Sequence, residues 1–442
     1  MKHAILISIC LFLISCQSKR LLKIEYIAKV APGWRAEIMA EVPQSYAGWD
    51  VEIGDADNDG KNEILFTGCP DSRLEMLKKQ PHCWESQLLA EKLARTVPGM
   101  GLAVKVVDLN NDGKNEICLG TGQETGGTAW FYVFEIVAAI CNEKIAVQAE
   151  ANKSSYTHDL APYDLNQDGI LEVVSAYCGG GEIIRYQFDE KINQVSARKI
   201  YQLSGSGEEA MIADVDNDGC VELLVSNGFR QKQARVEIFE FDKSGELISP
   251  PRIVIDGYDN KKCFYASLIV GDVNNDGRND LIVGWKQDQK INQATVLGYQ
   301  VQESAIPIYT FAYQDTSLDM AYFEKMMAVA DADNDGKNEL IISTRGDNVS
   351  EKIASRHLGH IFLFHINASG QIQRTLLLDF HEEKVESSWL AVGDADNDGK
   401  NEIVLTTGKG DRTKPGNSFV IMLKKVDKLP EQSVISSTIG FK

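Results

Sequence analysis

DADNDGKNE, residues Asp55 to Glu63, places acids two apart, closes on glycine and ends on a further acid. Asp55, Asp57 and Asp59 can share one concavity because Gly60 enters left-handed backbone space that other residues reach only at steric cost. Glu63 completes an oxygen set, and the Lys61 carbonyl brings it toward the about six to eight oxygens that Ca2+ takes at roughly 2.3–2.6 Å. Mg2+ demands a tighter octahedron and keeps its waters, so the pattern points to calcium.

The pattern returns six more times, at Asp108, Asn110, Asp112 and Glu116; Asp164, Asn166, Asp168 and Glu172; Asp214, Asp216, Asp218 and Glu222; Asp272, Asn274, Asp276 and Asp280; Asp331, Asp333, Asp335 and Glu339; and Asp394, Asp396, Asp398 and Glu402. An EF-hand needs an acid at position twelve. Here that position holds Phe66, Leu119, Ser175, Val225, Val283, Ile342 or Leu405, so the EF-hand reading fails in all seven loops. Asn110, Asn166 and Asn274 keep an oxygen and lose a charge, which predicts weaker binding in loops two, three and five than in the four-carboxylate loops.

First aspartates lie 53, 56, 50, 58, 59 and 63 residues apart, a period that suits one four-stranded propeller blade. Runs such as VEIG (51–54), ILFTG (64–68) and LLVSNG (223–228) are short, β-branched and end on glycine. Third strands are expected at 129–137, 182–188, 235–241, 360–366 and 418–425, and fourth strands at 198–203, 306–311 and 374–380. Residues 75–94 are ambiguous and could hold a helical turn. The reading is an all-β, seven-bladed propeller over residues 21–442, with each acid loop joining the first and second strands of a blade. The last unit lacks a firm outer strand, so a strand from 21–30 or 36–42 is expected to complete it, with the tail at 433–438 competing.

On these loops and this period, the chain resembles the FG-GAP and VCBS repeats of integrin α-subunit propellers and of bacterial surface proteins, over about residues 45–425. The resemblance implies up to seven Ca2+ on one face of the disc and a ligand face opposite. It implies adhesion or carbohydrate binding more often than lyase or hydrolase chemistry.

MKHAILISICLFLISC opens the chain: one lysine, an apolar stretch, then Ser15 and Cys16. This reads as a lipoprotein signal (1–15) with Cys16 lipidated and 16–20 as a tether, placing the protein outside the cytoplasm, anchored to the bacterial envelope by lipid alone, at the outer membrane in a Gram-negative host. The apolar stretch is too short to span a bilayer. Net charge is −19, and removal of 1–15 deletes only Lys2. The coordinating positions hold 25 acids, so the acidity is mostly metal ligand, and nucleic acid is not an expected partner. Seven cysteines follow Cys16. Cys69 with Cys83 and Cys118 with Cys141 are close enough in sequence to staple hairpins, although Cys118 also suits a buried thiol. With no CxxC pair, no zinc site is expected.

The loops joining second to third strands are long and polar. With the aromatics before the inner strands they give a candidate ligand face of Trp49, His158, Arg230, Trp285, Arg345, Trp389 and Arg412, suited to an acidic glycan or a protein. An extracytoplasmic carbohydrate-active enzyme is the alternative. It would draw on His158, Asp159, Glu208, Glu209, Glu324 and Lys325 at one mouth of the central channel, with a base abstracting a proton from a uronate.

Overall fold

Strands form where the β-branched and aromatic runs lie, and they pair into seven four-stranded antiparallel units among the described residues. The structure, a computed structural model, describes residues 23–426 apart from 44–49, 96–98, 124–128, 149–155, 228–232, 258–262, 264, 289–290, 303–304, 316–325, 345–358, 381–384 and 412–413. The first unit runs Val51–Gly54, Glu63–Gly68, Arg73–Lys79 and Trp84–Ala90. Units two and three share a continuous sheet because the short strand Tyr156–Thr157 pairs with both Gly122 and Cys178. Third strands at Glu182–Phe188, His360–Ile366 and Ser418–Lys425 fall on the expected residues.

Second strands such as Ile64–Leu65–Phe66 are apolar throughout because both of their faces are covered. Ile64 and Phe66 pack with Val404 and Val420 of unit seven, while Leu65 packs with Ile117 and Leu119 of unit two. The same arrangement recurs around the molecule, with buried clusters between units two and three, three and four, four and five, five and six, and six and seven. Val385–Gly393 of unit seven contacts Val51–Gly54 of unit one, so the sequence of sheets closes on itself. On the axis lies a cavity of about 250 Å³ lined by residues that include Glu52, Lys105, Asp159, Glu209, Met327 and Ala391. This is a β-propeller, in which radial repetition about one axis leaves each sheet only a short outer edge.

Closure uses the N-terminal strand Trp34–Val42, which pairs with Ser418–Lys425 to finish unit seven. Trp34, Ile38, Met39 and Val42 are all buried there. Each large apolar side chain so buried contributes about 1.5–3 kcal/mol, so the staple is held chiefly by packing. The competing tail at 433–438 lies outside the described residues.

Three expectations are corrected. Residues 75–94 hold no helical turn: Arg73–Lys79 and Trp84–Ala90 form a hairpin. The strand-like 21–30 yields a short 3-10 turn, Ile24–Tyr26, and then Ala28–Val30, which adds a fifth strand to unit six. Neither cysteine pair is bridged. Cys69 precedes strand Arg73–Lys79 and Cys83 follows it, and a strand of that length separates its ends by roughly 20 Å. Cys118 and Cys141 sit on strands separated by Trp130–Val137.

Candidate functional site

Each acid loop joins the first and second strands of a unit, and its ninth-position acid is the first residue of the second strand. Within the loop, the leading aspartate spends both oxygens on backbone donors. Asp59 N donates to Asp55 Oδ1 at 3.0 Å and Gly60 N to Oδ2 at 2.9 Å. The same pair of bonds recurs in the other six loops. The fifth-position acid accepts from the seventh residue, as Lys61 N to Asp59 Oδ1 at 3.0 Å. Glu63 Oε2 accepts from Ala56 N at 3.1 Å, a bond repeated by every ninth-position glutamate. The acids therefore shape the loop, and a carboxylate oxygen has a second lone pair left for an ion.

The site residues converge. One oxygen each from Asp331, Asp333, Asp335 and Glu339 lie within 4.8 Å of one another, as do those of Asp55, Asp57 and Glu63, and of Asp214, Asp216 and Asp218. Buried oxygens with no hydrogen-bond donor point into the loops: Oδ1 of Asp57 and Asp333, Oε1 of Glu222 and Glu339, and Oδ2 of Asp280. Leaving such atoms unpaired costs free energy, and a divalent cation is the partner that this donor set fits. Burial pushes the carboxyls of Glu63, Glu116, Glu222 and Glu339 up to about 7 and that of Asp280 up to about 6. A cavity of about 710 Å³, lined in part by Asn274, Asp335, Glu339 and His365, opens against loop six.

Counting carboxylates leaves out what the third strand brings. Lys78 Nζ stands among the acids of loop one, in contact with Asp57, 2.7 Å from Asp59 Oδ2 and 3.4 Å from Glu63 Oε1. Lys424 does the same in loop seven, in contact with Asp398, 3.1 Å from Asp396 Oδ2 and 3.0 Å from Glu402 Oε1. Burial works against the Lys78 ammonium, but hydrogen bonds to Asp57 and Asp59 and the charge of Glu63 outweigh it and hold its pKa above the ordinary lysine value. The signal was legible as MLKK, which occurs at 76–79 and again at 422–425. Even the next lysine matches, Lys79 lying over Trp84 and Lys425 over Trp34. In loop three the buried Arg185 donates to Glu172 Oε1 at 2.6 Å, and in loop four Arg252 pairs with Asp216 at 2.9 Å. Loop six is looser: His365 Nδ1 lies 3.3 Å from Glu339 Oε1, and Lys425 lies 3.4 Å from Asp333 Oδ2.

The fourth and eighth loop positions also matter, although neither was read as a site. Asn58, with φ of 60°, tolerates left-handed backbone as asparagine often does. Its Oδ1 accepts from Asn115 N at 2.6 Å, and its Nδ2 donates to Asn115 O at 3.2 Å. Asn115 Nδ2 in turn donates to Asp55 O at 2.9 Å. The same three-bond clasp joins loops four to five, five to six and six to seven. It also joins loop seven to loop one through Asn397 and Asn62. Around loop three the pattern breaks, because Gln167 stands at its fourth position, Leu171 at its eighth and Val221 at the eighth of loop four. There Asn111 Nδ2 reaches Gly169 O at 2.7 Å and Leu171 N donates to Leu109 O at 2.7 Å.

The expected ligand face is corrected in part. Trp285 is fully buried and its Nε1 donates to Tyr299 OH at 2.9 Å, so it belongs to the core between units four and five. Trp389 is likewise buried, packed with Met39, Val42 and Val51. Both sit on strands covered by neighbouring sheets, which a sequence reading of aromatic position did not register. Trp49, Arg230, Arg345 and Arg412 lie outside the described residues, as do Glu324, Lys325 and Cys16. His158 is half-buried and meets Glu208 at the end of the units remote from the acid loops. On that same side Arg95 lies over the ring of Trp130 at 3.6 Å.

The FG-GAP-like repeat family matches residues 164–225 and 214–283. Each matched segment opens on the first aspartate of a loop and ends within the second strand of the next unit. No curated protein matches the chain. Among solved structures it is similar to one described as "Structure of Dos1 propeller", at 8% identity and a TM-score of 0.45, over 87% of this chain and 95% of that chain. The protein is thus a β-propeller with FG-GAP-like repeats over residues 164–283, an architecture that suggests a binding or adhesion-type module.

Proposed function

We propose that this chain is a calcium-binding module that presents a glycan- or protein-binding face at the cell envelope, tethered through a lipid on Cys16. The observation that carries the calcium reading is loop six, where four acids converge and buried oxygens of Asp333 and Glu339 lack a hydrogen-bond donor. Loops two and five offer the same backbone frame, whereas the ammonium groups of Lys78 and Lys424 must leave before an ion can enter loops one and seven. The bound ions act structurally: they neutralise acids that burial penalises and so brace the turn that links two strands. The ligand face lies at the opposite end of the strands, where Arg95 over Trp130 offers the aromatic-plus-cation chemistry suited to an acidic glycan.

The test is a glycan array and an envelope pull-down, each with calcium and with chelator. Capture that depends on calcium and falls with Trp130→Ala supports the module. Capture indifferent to both refutes the ligand face. Globomycin-sensitive processing of the precursor, lost in Cys16→Ala, tests the tether, and normal processing of that variant refutes it.

A further inference from the structure

Far from the acid loops, three side chains of a different chemistry meet. The Sγ of Cys178, an imidazole nitrogen of His158 and a carboxylate oxygen of Glu208 all lie within 4.8 Å of one another. Local structure accounts for the meeting. Tyr156 pairs with Cys178 and Thr157 with Tyr177, which sets His158 alongside the last residues of strand Glu172–Cys178. Glu208 comes from the adjoining unit. A Cβ on Gly207 would stand 2.7 Å from that of Ala176, closer than such atoms approach, so glycine is what lets the two units close and deliver Glu208. Ser206 Oγ donates to Glu208 Oε1 at 3.1 Å and orients the carboxylate.

We propose that His158, Cys178 and Glu208 bind one Zn2+, leaving the fourth tetrahedral position open to water or a ligand. Thiolate, imidazole and carboxylate are the donors zinc takes, and three protein ligands with one open place is the arrangement of sites that engage a further molecule. Calcium takes oxygen donors, so this site and the loops select different ions. Cys178 and Glu208 are buried, and Glu209 and Asp159 add further acid beside them. A dication there offsets charge that burial would otherwise penalise. Binding expels the thiol proton to solvent, so uptake of the ion releases acid. The absence of a CxxC pair concealed the site, because its ligands are 20 and 30 residues apart and cross from one sheet to the next.

The full chain, stripped of metal and held in excess Ca2+ to fill the loops, is titrated with Co2+ and then with Zn2+. One Co2+ per chain is expected, with the thiolate-to-cobalt charge-transfer absorption of a tetrahedral site, displaced by one equivalent of Zn2+. Cys178→Ser abolishes that absorption, and His158→Ala weakens zinc binding by more than the roughly 10–100-fold that loss of an outer-shell partner costs. Cys220→Ser, which removes the exposed thiol in loop four, changes neither. Each variant is first shown to keep the wild-type melting temperature in calcium; if Cys178→Ser does not, Glu208→Gln takes its place, with the same expected loss of zinc affinity. A cobalt spectrum without thiolate absorption, or zinc binding of unchanged affinity in a folded ligand variant, overturns the proposal.

Discussion

Loops one and six carry the same four carboxylates at the same spacing, yet they differ at their centres. In loop one Lys78 reaches three acids at once. In loop six Lys425 approaches Asp333 alone, at 3.4 Å and from the edge, and His365 Nδ1 lies 3.3 Å from Glu339. The difference comes from the third strand, which in unit one supplies its own ammonium and in unit six supplies His365. Loop sequence therefore sets the shape of a cation site, while a neighbouring strand decides whether the site arrives already neutralised.

The largest effect is expected at loop six. Glu339→Ala removes a buried carboxylate that accepts from Ala332 N and Asp333 N, stranding those donors, and costs about 1–3 kcal/mol before any ion is counted. In calcium the loss should be larger, because the variant also forfeits the ion, and urea unfolding with and without calcium measures both parts. A loss that is identical in the two conditions would show that loop six holds no ion.

Lys78→Met sharpens the contrast from the other side. Without calcium it leaves the acids of loop one uncompensated and should destabilise by about 1–3 kcal/mol. With calcium much of that loss should return and the number of bound ions should rise by one, as titration calorimetry would register. Equal destabilisation in both conditions would mean that the lysine and the ion do not compete.

The clasps between loops offer a smaller test. Asn397→Ala removes two of the three bonds that join the last loop to the first, at about 1 kcal/mol each. Installing the pattern where it is broken, with Gln167→Asn and Val221→Asn together, should stabilise by less than that, since Val221 gives up some packing against its cluster. Thermal melts resolve both changes.

The comparison can also be sharpened with pH. Burial raises the folded-state pKa of Glu63, Glu116, Glu222 and Glu339 to about 7, above their unfolded values. Between roughly pH 4.5 and 7 the native state then holds more protons than the unfolded state, so the stability of the calcium-free protein falls as pH rises through that window. Calcium affinity moves the opposite way, because the ion requires ionised carboxylates. Melts of chelated and calcium-loaded protein at pH 5 and pH 7.5 should therefore diverge.

Much of this was legible in the chain. Asp55 to Glu63 and its repeats announced the loops, and apolar runs such as Ile64 to Phe66 announced the strands that follow them. What was hidden depends on neighbours. Trp285 and Trp389 read as rim aromatics, but whether an inner or second strand exposes a side chain is set by the adjoining sheet. Asn58 and Asn115 lie 57 residues apart, and their clasp exists only because closure brings consecutive loops side by side. Lys78 and Lys424 were visible as a recurring MLKK, yet nothing in a string says that its lysine turns back toward an acid 15 or more residues earlier. The hairpin at 73–90 was obscured for the converse reason: its outer strand is half exposed, so its alternation is diluted by polar residues on both faces.

The measurement that bears most directly on calcium is a titration of chelated protein with Ca2+, read as ions bound per chain and as melting temperature. The account predicts more than one ion per chain, a rise in melting temperature that saturates with binding, and one ion fewer in Glu339→Ala. No uptake of calcium, with the melting temperature unmoved, would contradict it.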